Sequence, residues 1–224
     1  VRGLIQANHV KPKLAIVQLK DDPVINTYVR LKKAYGADIQ IEVDIHRSAQ
    51  SDAKQLINQL NHDPSVHGII IQLPIEDPAQ TDELCGLVDP TKDVDGLGST
   101  EVHQPATPMA IMWLLAGYNI ELDGKNILLI GYGKLVGKPL AASLKTSGHN
   151  VTIADRTTKN LTELTTQADV IITATGSPAI LFPNMIKNGA VVVDAGVASE
   201  DGKIVGAVAP ELYEREDLTI TPAK

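Results

Sequence analysis

An α/β fold in two lobes is predicted by three observations. Short apolar runs recur along the chain, and most are apolar throughout rather than alternating. Segments with helical patterning separate them. An irregular stretch, "DPTKDVDGLGSTEVHQP", divides two early strand–helix units from a tight strand–helix–strand series that begins at Lys125. Runs apolar throughout are the mark of strands buried on both faces of a parallel sheet, and their alternation with helices gives the class. We place the boundary between residues 106 and 107, with a cleft expected between the lobes.

The elements follow in order. "KLAIVQL" (13–19) is the first strand. Asp22 then suits a helix cap, Pro23 the first helical position and Gly36 the end of that helix. Ser51 is expected to cap a second helix, with Leu56, Ile57 and Leu60 on one face. "GIIIQLP" (68–74) is the next strand, and Thr107-Pro108 opens a third helix, "TPMAIMWLLAGYN". The second lobe reads as strands at "KNILLIG" (125–131), "NVTIADR" (150–156), "DVIITATG" (169–176) and "AVVVDAG" (190–196).

Composition narrows the function. A formal charge of -7 argues against a general nucleic-acid or anionic-membrane binder, which needs a basic face. No apolar run approaches the roughly 18 residues that a membrane helix requires, and no secretory signal opens the chain. The single cysteine, Cys85, excludes an internal disulfide and fits a reducing, cytoplasmic setting. The chain starts at Val1 and stops at "TITPAK"; both ends are expected to be incomplete.

"ILLIGYGKLVGKPLAASLKTSGHNVTIADR" carries the clearest chemistry. A strand runs into Gly131, Tyr132, Gly133, Lys134, Val136 and Gly137, then a helix, then a strand ending at Asp155 and Arg156. Glycines there permit a tight turn and close approach of backbone to a pyrophosphate, while the helix N-terminus offers N–H groups and positive dipole. The spacing is GxGxxxG rather than GxGxxG, so it is the strand–turn–helix–strand context that points to a dinucleotide. Asp155 is the residue type that accepts from a ribose 2′-hydroxyl and favours NAD; Arg156 is the type that pairs with a 2′-phosphate and favours NADP. Thr175 and Gly176, ending "DVIITATG", complete the expected cofactor set.

The N-terminal half places Tyr28 and Lys32 on one helix face, because residues four apart stack. Gln72 and Pro74 end a buried strand, where α/β proteins place ligands. "KDVDG" puts Asp93 and Asp95 two apart in a loop. As a calcium loop it fails, with Thr91 at the first ligand position and Val102 at the twelfth. The six histidines show no metal-ligand spacing, and His103 and His149 read as surface residues.

These residues, taken together, resemble the methylenetetrahydrofolate dehydrogenase/cyclohydrolase family over nearly the whole chain. The motifs are "YVRLKKA", "GIIIQLP", "KDVDG", "PATP", "GYGKLVGKP" and "DAGVASEDGKIVGAV", in the family's order. The resemblance implies a folate-binding catalytic lobe (1–106) and a Rossmann-like NAD(P)-binding lobe (107–224). It implies oxidation of 5,10-methylenetetrahydrofolate with NADP, hydrolysis of the product to 10-formyltetrahydrofolate, no metal, and a homodimer; the alternatives are a dehydrogenase only, NAD-dependent or not, and a non-catalytic nucleotide-binding relative. Lys32 becomes the catalytic lysine, Gln72 its hydrogen-bonding partner, Tyr28 a stacking platform for the folate rings, and Asp95 the holder of the pterin, with Pro74 beside it. Tyr132 and Gly133 stand where the family often has arginine and serine, and Ala207 where it often has aspartate. The family's Pro-Gly-Gly-Val-Gly-Pro segment would follow "TITPAK".

Overall fold

The computed structural model describes residues 1–98, 102–200 and 203–223. The chain divides into two compact units, Val1–Pro105 and Ala106–Lys224.

The first unit opens with a short exposed helix, α1 (Arg2–Ala7), whose Arg2 pairs with Asp38. Next come β1 (Lys13–Gln18), α2 (Pro23–Ile39), β2 (Glu42–Arg47), α3 (Ala53–His62), β3 (Gly68–Gln72) and α4 (Thr81–Gly86). The strands form a parallel sheet in the order β2-β1-β3. Leu14 and Ile16 of β1 and Ile70 of β3 face α2, meeting Ile25 and Val29. Ala15, Val17, Ile69 and Ile71 face the other way, against Ile57 and Leu60 of α3 and Leu84 of α4. With both faces covered, β3 is buried at every position, and each fully buried Ile or Leu contributes on the order of 2 kcal/mol.

Asp22 caps α2 as expected, accepting from the amides of Val24 and Ile25, with Pro23 in the first turn. Gly36, however, does not end this helix. α2 runs on to Ile39 and closes at Gln40, which takes the left-handed conformation at φ +66°. Gly36 lies buried inside the helix, where a Cβ would stand 2.4 Å from Cγ2 of Val43. Its missing side chain serves the close packing of helix on strand. Ser51 is not the cap of α3 either: it sits in a single 3-10 turn, Gln50–Asp52, and the capping position falls to Asp52 without a side-chain bond.

The second unit contains α5 (Ala106–Gly117), β4 (Ile127–Ile130), α6 (Gly137–Thr146), β5 (Val151–Ala154), α7 (Leu161–Gln167), β6 (Val170–Thr173), β7 (Val191–Asp194), β8 (Ala198–Glu200), β9 (Lys203–Val205) and β10 (Thr219–Ile220). Five strands make a parallel sheet, β10-β7-β6-β4-β5, and β8 and β9 form a separate antiparallel ribbon. β4 and β6 are buried throughout, whereas the edge strand β5 is exposed at Thr152. Helices α5 and α6 cover one face through Ile111, Leu115, Leu140 and Leu144. The other face packs Leu128, Ile130 and Ile171 against Leu181, Ile186 and Leu212. His149 is largely covered, its side chain 14% exposed and its Nδ1 3.4 Å from Asp123, so it is not a plain surface residue. Among the described residues, no helix is long and apolar enough to cross a membrane.

Candidate active site

In the first unit, α2 and the carboxyl end of β3 converge. The Lys32 Nζ donates to Oε1 of Gln72 at 3.0 Å. Gln72 is only 9% exposed, and its own Nε2 donates to the Leu73 carbonyl at 3.0 Å. The amide is thereby oriented with its oxygen toward the lysine. An uncharged acceptor directs the amine without locking it into an ion pair. Tyr28 sits one turn earlier on α2, partly exposed, and Pro74 is exposed just beyond β3.

Asp95 reaches the same neighbourhood through the "KDVDG" loop, which the fold anchors at three points. Nζ of Lys92 donates to the carbonyls of Leu60, Asn61 and Asp63 at 3.1, 2.8 and 2.7 Å, closing the C-terminal end of α3 with a positive charge where the helix dipole favours one. The buried Asp93 accepts from the amides of Gly96 and Gly98 at 3.0 and 2.7 Å. The Ile69 amide donates to the Lys92 carbonyl at 2.7 Å, tying the loop to β3. Burial pushes the Asp95 carboxyl above the usual carboxylate range; the Lys32 charge opposes that shift and the Asp93 charge adds to it. Lys32, Gln72 and Asp95 are thus brought together. Lys92 and Asp93 are residues whose anchoring roles sequence reasoning missed, although "KDVDG" contained them.

In the second unit, the glycine loop lies at the carboxyl end of β4. Gly131 has φ +103°, and a Cβ there would stand 2.3 Å from the Ala174 carbonyl oxygen. A Cβ on Gly137 would stand 2.2 Å from the Gly131 oxygen, so the turn closes only without side chains at either position. A Cβ on Gly133 would meet nothing within 4 Å, so the backbone there is open to a ligand. Val136 caps α6 without a side-chain acceptor, leaving the first-turn Gly137 amide for a ligand or water. Tyr132 is exposed, with the Lys138 Nζ 6.0 Å from its ring centre. Lys134 is partly buried on the same loop.

Asp155 and Arg156 directly follow β5. Oδ1 of Asp155 accepts from the Thr157 amide at 2.8 Å and from its hydroxyl at 2.6 Å. Those bonds, the hydroxyl first, hold the carboxyl below the usual carboxylate range. Arg156 is exposed, and no hydrogen bond or ion pair engages it among the described residues. Thr175 uses its hydroxyl to accept from the Ser177 amide at 3.1 Å, and Gly176 follows it on the same strand-end loop.

A further residue missed from sequence is Asp194, 6% exposed at the end of β7. Its Oδ1 accepts from the Thr173 hydroxyl at 2.7 Å and from the amides of Gly196 and Ala207, each at 3.1 Å. It pins the end of β6 and the segments after β7 and β9 to one another. Apolar neighbours in "AVVVDAG" concealed it. Among the described residues, no group of three or more His, Cys, Asp or Glu side chains is placed to hold a metal ion.

A parallel sheet with a glycine turn leading into a helix N-terminus defines the second unit as a dinucleotide-binding α/β domain, coupled in one chain to a second α/β unit carrying a lysine–amide site. The comparisons make that class specific. Residues 1–95 match the tetrahydrofolate dehydrogenase/cyclohydrolase catalytic domain, and residues 105–224 match the NAD(P)-binding domain of the same enzymes. The chain belongs to the tetrahydrofolate dehydrogenase/cyclohydrolase family. It is 39% identical to the bifunctional protein FolD of Lactobacillus helveticus over 226 aligned residues, covering 95% of this chain and 80% of that protein. It is also 39% identical to the FolD protein of Campylobacter concisus, with 89% and 75% covered. The crystal structure of the bifunctional methylenetetrahydrofolate dehydrogenase/cyclohydrolase of Campylobacter jejuni superposes with a TM-score of 0.89 at 34% identity, covering 98% of this chain and 83% of that one.

Proposed function

We propose that the protein oxidises 5,10-methylenetetrahydrofolate with NADP and hydrolyses the resulting methenyl cation to 10-formyltetrahydrofolate. The observation that carries this reading is the Lys32–Gln72 pair at 3.0 Å beside Asp95, in a chain of this family. The oxidised nicotinamide, when bound, accepts a hydride from the methylene carbon. Tyr28 offers a flat face on which the folate rings stack, and Asp95 accepts hydrogen bonds from the amino and ring N–H groups of the pterin. Hydrolysis then adds water to the methenyl carbon, opens one C–N bond and releases a proton. The Lys32 amine, aimed by Gln72, takes and returns the proton in that step. No metal enters the proposed route. A homodimer in the cytoplasm belongs to the same reading.

NADP is favoured over NAD because Asp155 is occupied in its own turn by Thr157, while Arg156 is left for a phosphate. The second reading, NAD, rests on the other Asp155 oxygen meeting a ribose 2′-hydroxyl. Replacing Arg156 with Ala separates the two. We expect kcat/KM for NADP to fall at least tenfold, with that for NAD within threefold of the parent. An unchanged NADP-to-NAD ratio would show that Arg156 does not read the phosphate.

A further inference from the structure

The strands β1 and β3 end alike, "IVQL" and "IIQL", and Gln18 pairs in register with Gln72. In-register partners on parallel strands point to the same face, and here that face is the one α2 covers. Gln18 is 3% exposed, more deeply buried than Gln72. A buried amide is costly unless its donors and acceptor are satisfied, and those of Gln18 are. Its Nε2 donates to the Lys20 carbonyl at 3.0 Å and to Oδ1 of Asn26 at 2.7 Å. Its Oε1 accepts from Nε of Arg47 at 3.4 Å, from the neighbouring strand β2. Asn26 in turn donates to Asp21 at 2.8 Å, just before the Asp22 cap.

This chain of bonds fastens the first turn of α2 to the sheet. Asn26 is in that turn, and the same rigid helix carries Tyr28 and Lys32. A small rotation of α2 about its axis leaves its apolar contacts tolerable but swings the Lys32 amine off Gln72, because apolar packing is non-directional and hydrogen bonds are not. The two glutamines divide the labour: Gln72 receives the amine, and Gln18 holds the helix that delivers it. We propose that Gln18 is a positioning residue for Lys32, acting through Asn26. The proposal rests on the folate reading of the site for its kinetic consequence, but not for its structural one.

The test compares the parent with Gln18→Leu and Asn26→Ala, the latter removing the acceptor without disturbing the core. For hydrolysis of 5,10-methenyltetrahydrofolate we expect kcat to fall about tenfold in each, with KM within threefold, since misplacing a proton-transfer group by a fraction of an ångström costs rate before affinity. The double variant should lose no more than the worse single one, because the two residues act as one unit. A second arm needs no folate: the side-chain amide signals of Gln72 in 15N–1H NMR should shift in both variants as Lys32 leaves it. Amide signals that stay in place overturn the proposal, as does kcat within twofold of the parent in Asn26→Ala. A parent without hydrolase activity whose Gln72 signals still respond to both substitutions would retain the positioning role and discard the folate reading instead.

Discussion

Lys32 and Gln72 stand forty positions apart in the chain and one hydrogen bond apart in space. Their residue types and places on a helix face and a strand end were legible in the sequence; their meeting was not, since spacing along a chain says nothing about which strand a helix will cover. Asp95 was legible only as part of a motif. Its burial now makes a prediction with a definite sign. A carboxyl whose folded-state pKa is raised stabilises the fold below the unfolded value near 3.8 and loses that contribution as pH rises through the folded value. Asp95→Asn should therefore raise the melting temperature at pH 7, the gain shrinking as pH falls toward 4, while folate affinity drops. Differential scanning calorimetry at several pH values checks it; a gain that grows as pH falls would contradict the account. Asp194 and Gln18 escaped sequence reading because each sits in an otherwise apolar run, where one polar residue is easily absorbed into the strand pattern.

Among the elements, the strands buried on both faces were the clearest, and the edges the least. β2 reads "EVDIHR", charged and alternating, because it lies at a sheet edge with only Val43 buried. β10 is two residues long, too short for any pattern. Helix starts were readable where chemistry is local, as at Asp22, but Gly36 was misread because a glycine ends helices and also lets a helix approach a strand. The two roles differ in their tolerance of alanine. At a helix-ending position alanine is strained by the left-handed backbone, whereas within α2 the backbone suits alanine and the cost is the new Cβ meeting Val43, a stiff β-branched side chain. Gly36→Ala gains up to about 1 kcal/mol of helix propensity and loses more to overpacking, for a net loss of about 1–2 kcal/mol. Chemical denaturation measures it, and Val43→Ala in the same chain should recover part of the loss. A stabilised Gly36→Ala protein would rule out the close-packing explanation.

At the scale of the molecule, each unit places its candidate residues at the carboxyl ends of parallel strands, where such sheets bind ligands. Gln72 and Pro74 end β3 or follow it, the glycine loop follows β4, and Asp155 and Arg156 follow β5. The order of motifs along the chain made this architecture readable, since a strand–helix–strand series determines its own sheet. The sequence left the cofactor's identity open, because Asp155 and Arg156 point opposite ways by type. In the proposed reaction one lysine, Lys32, serves the hydrolytic step. That role is tested most directly by following methenyltetrahydrofolate hydrolysis and NADP binding in the parent and in Lys32→Ala. In Lys32→Ala we expect hydrolysis reduced at least a hundredfold, about 2.7 kcal/mol in the barrier, with the NADP dissociation constant within twofold. Equal hydrolysis rates in the two proteins would contradict it.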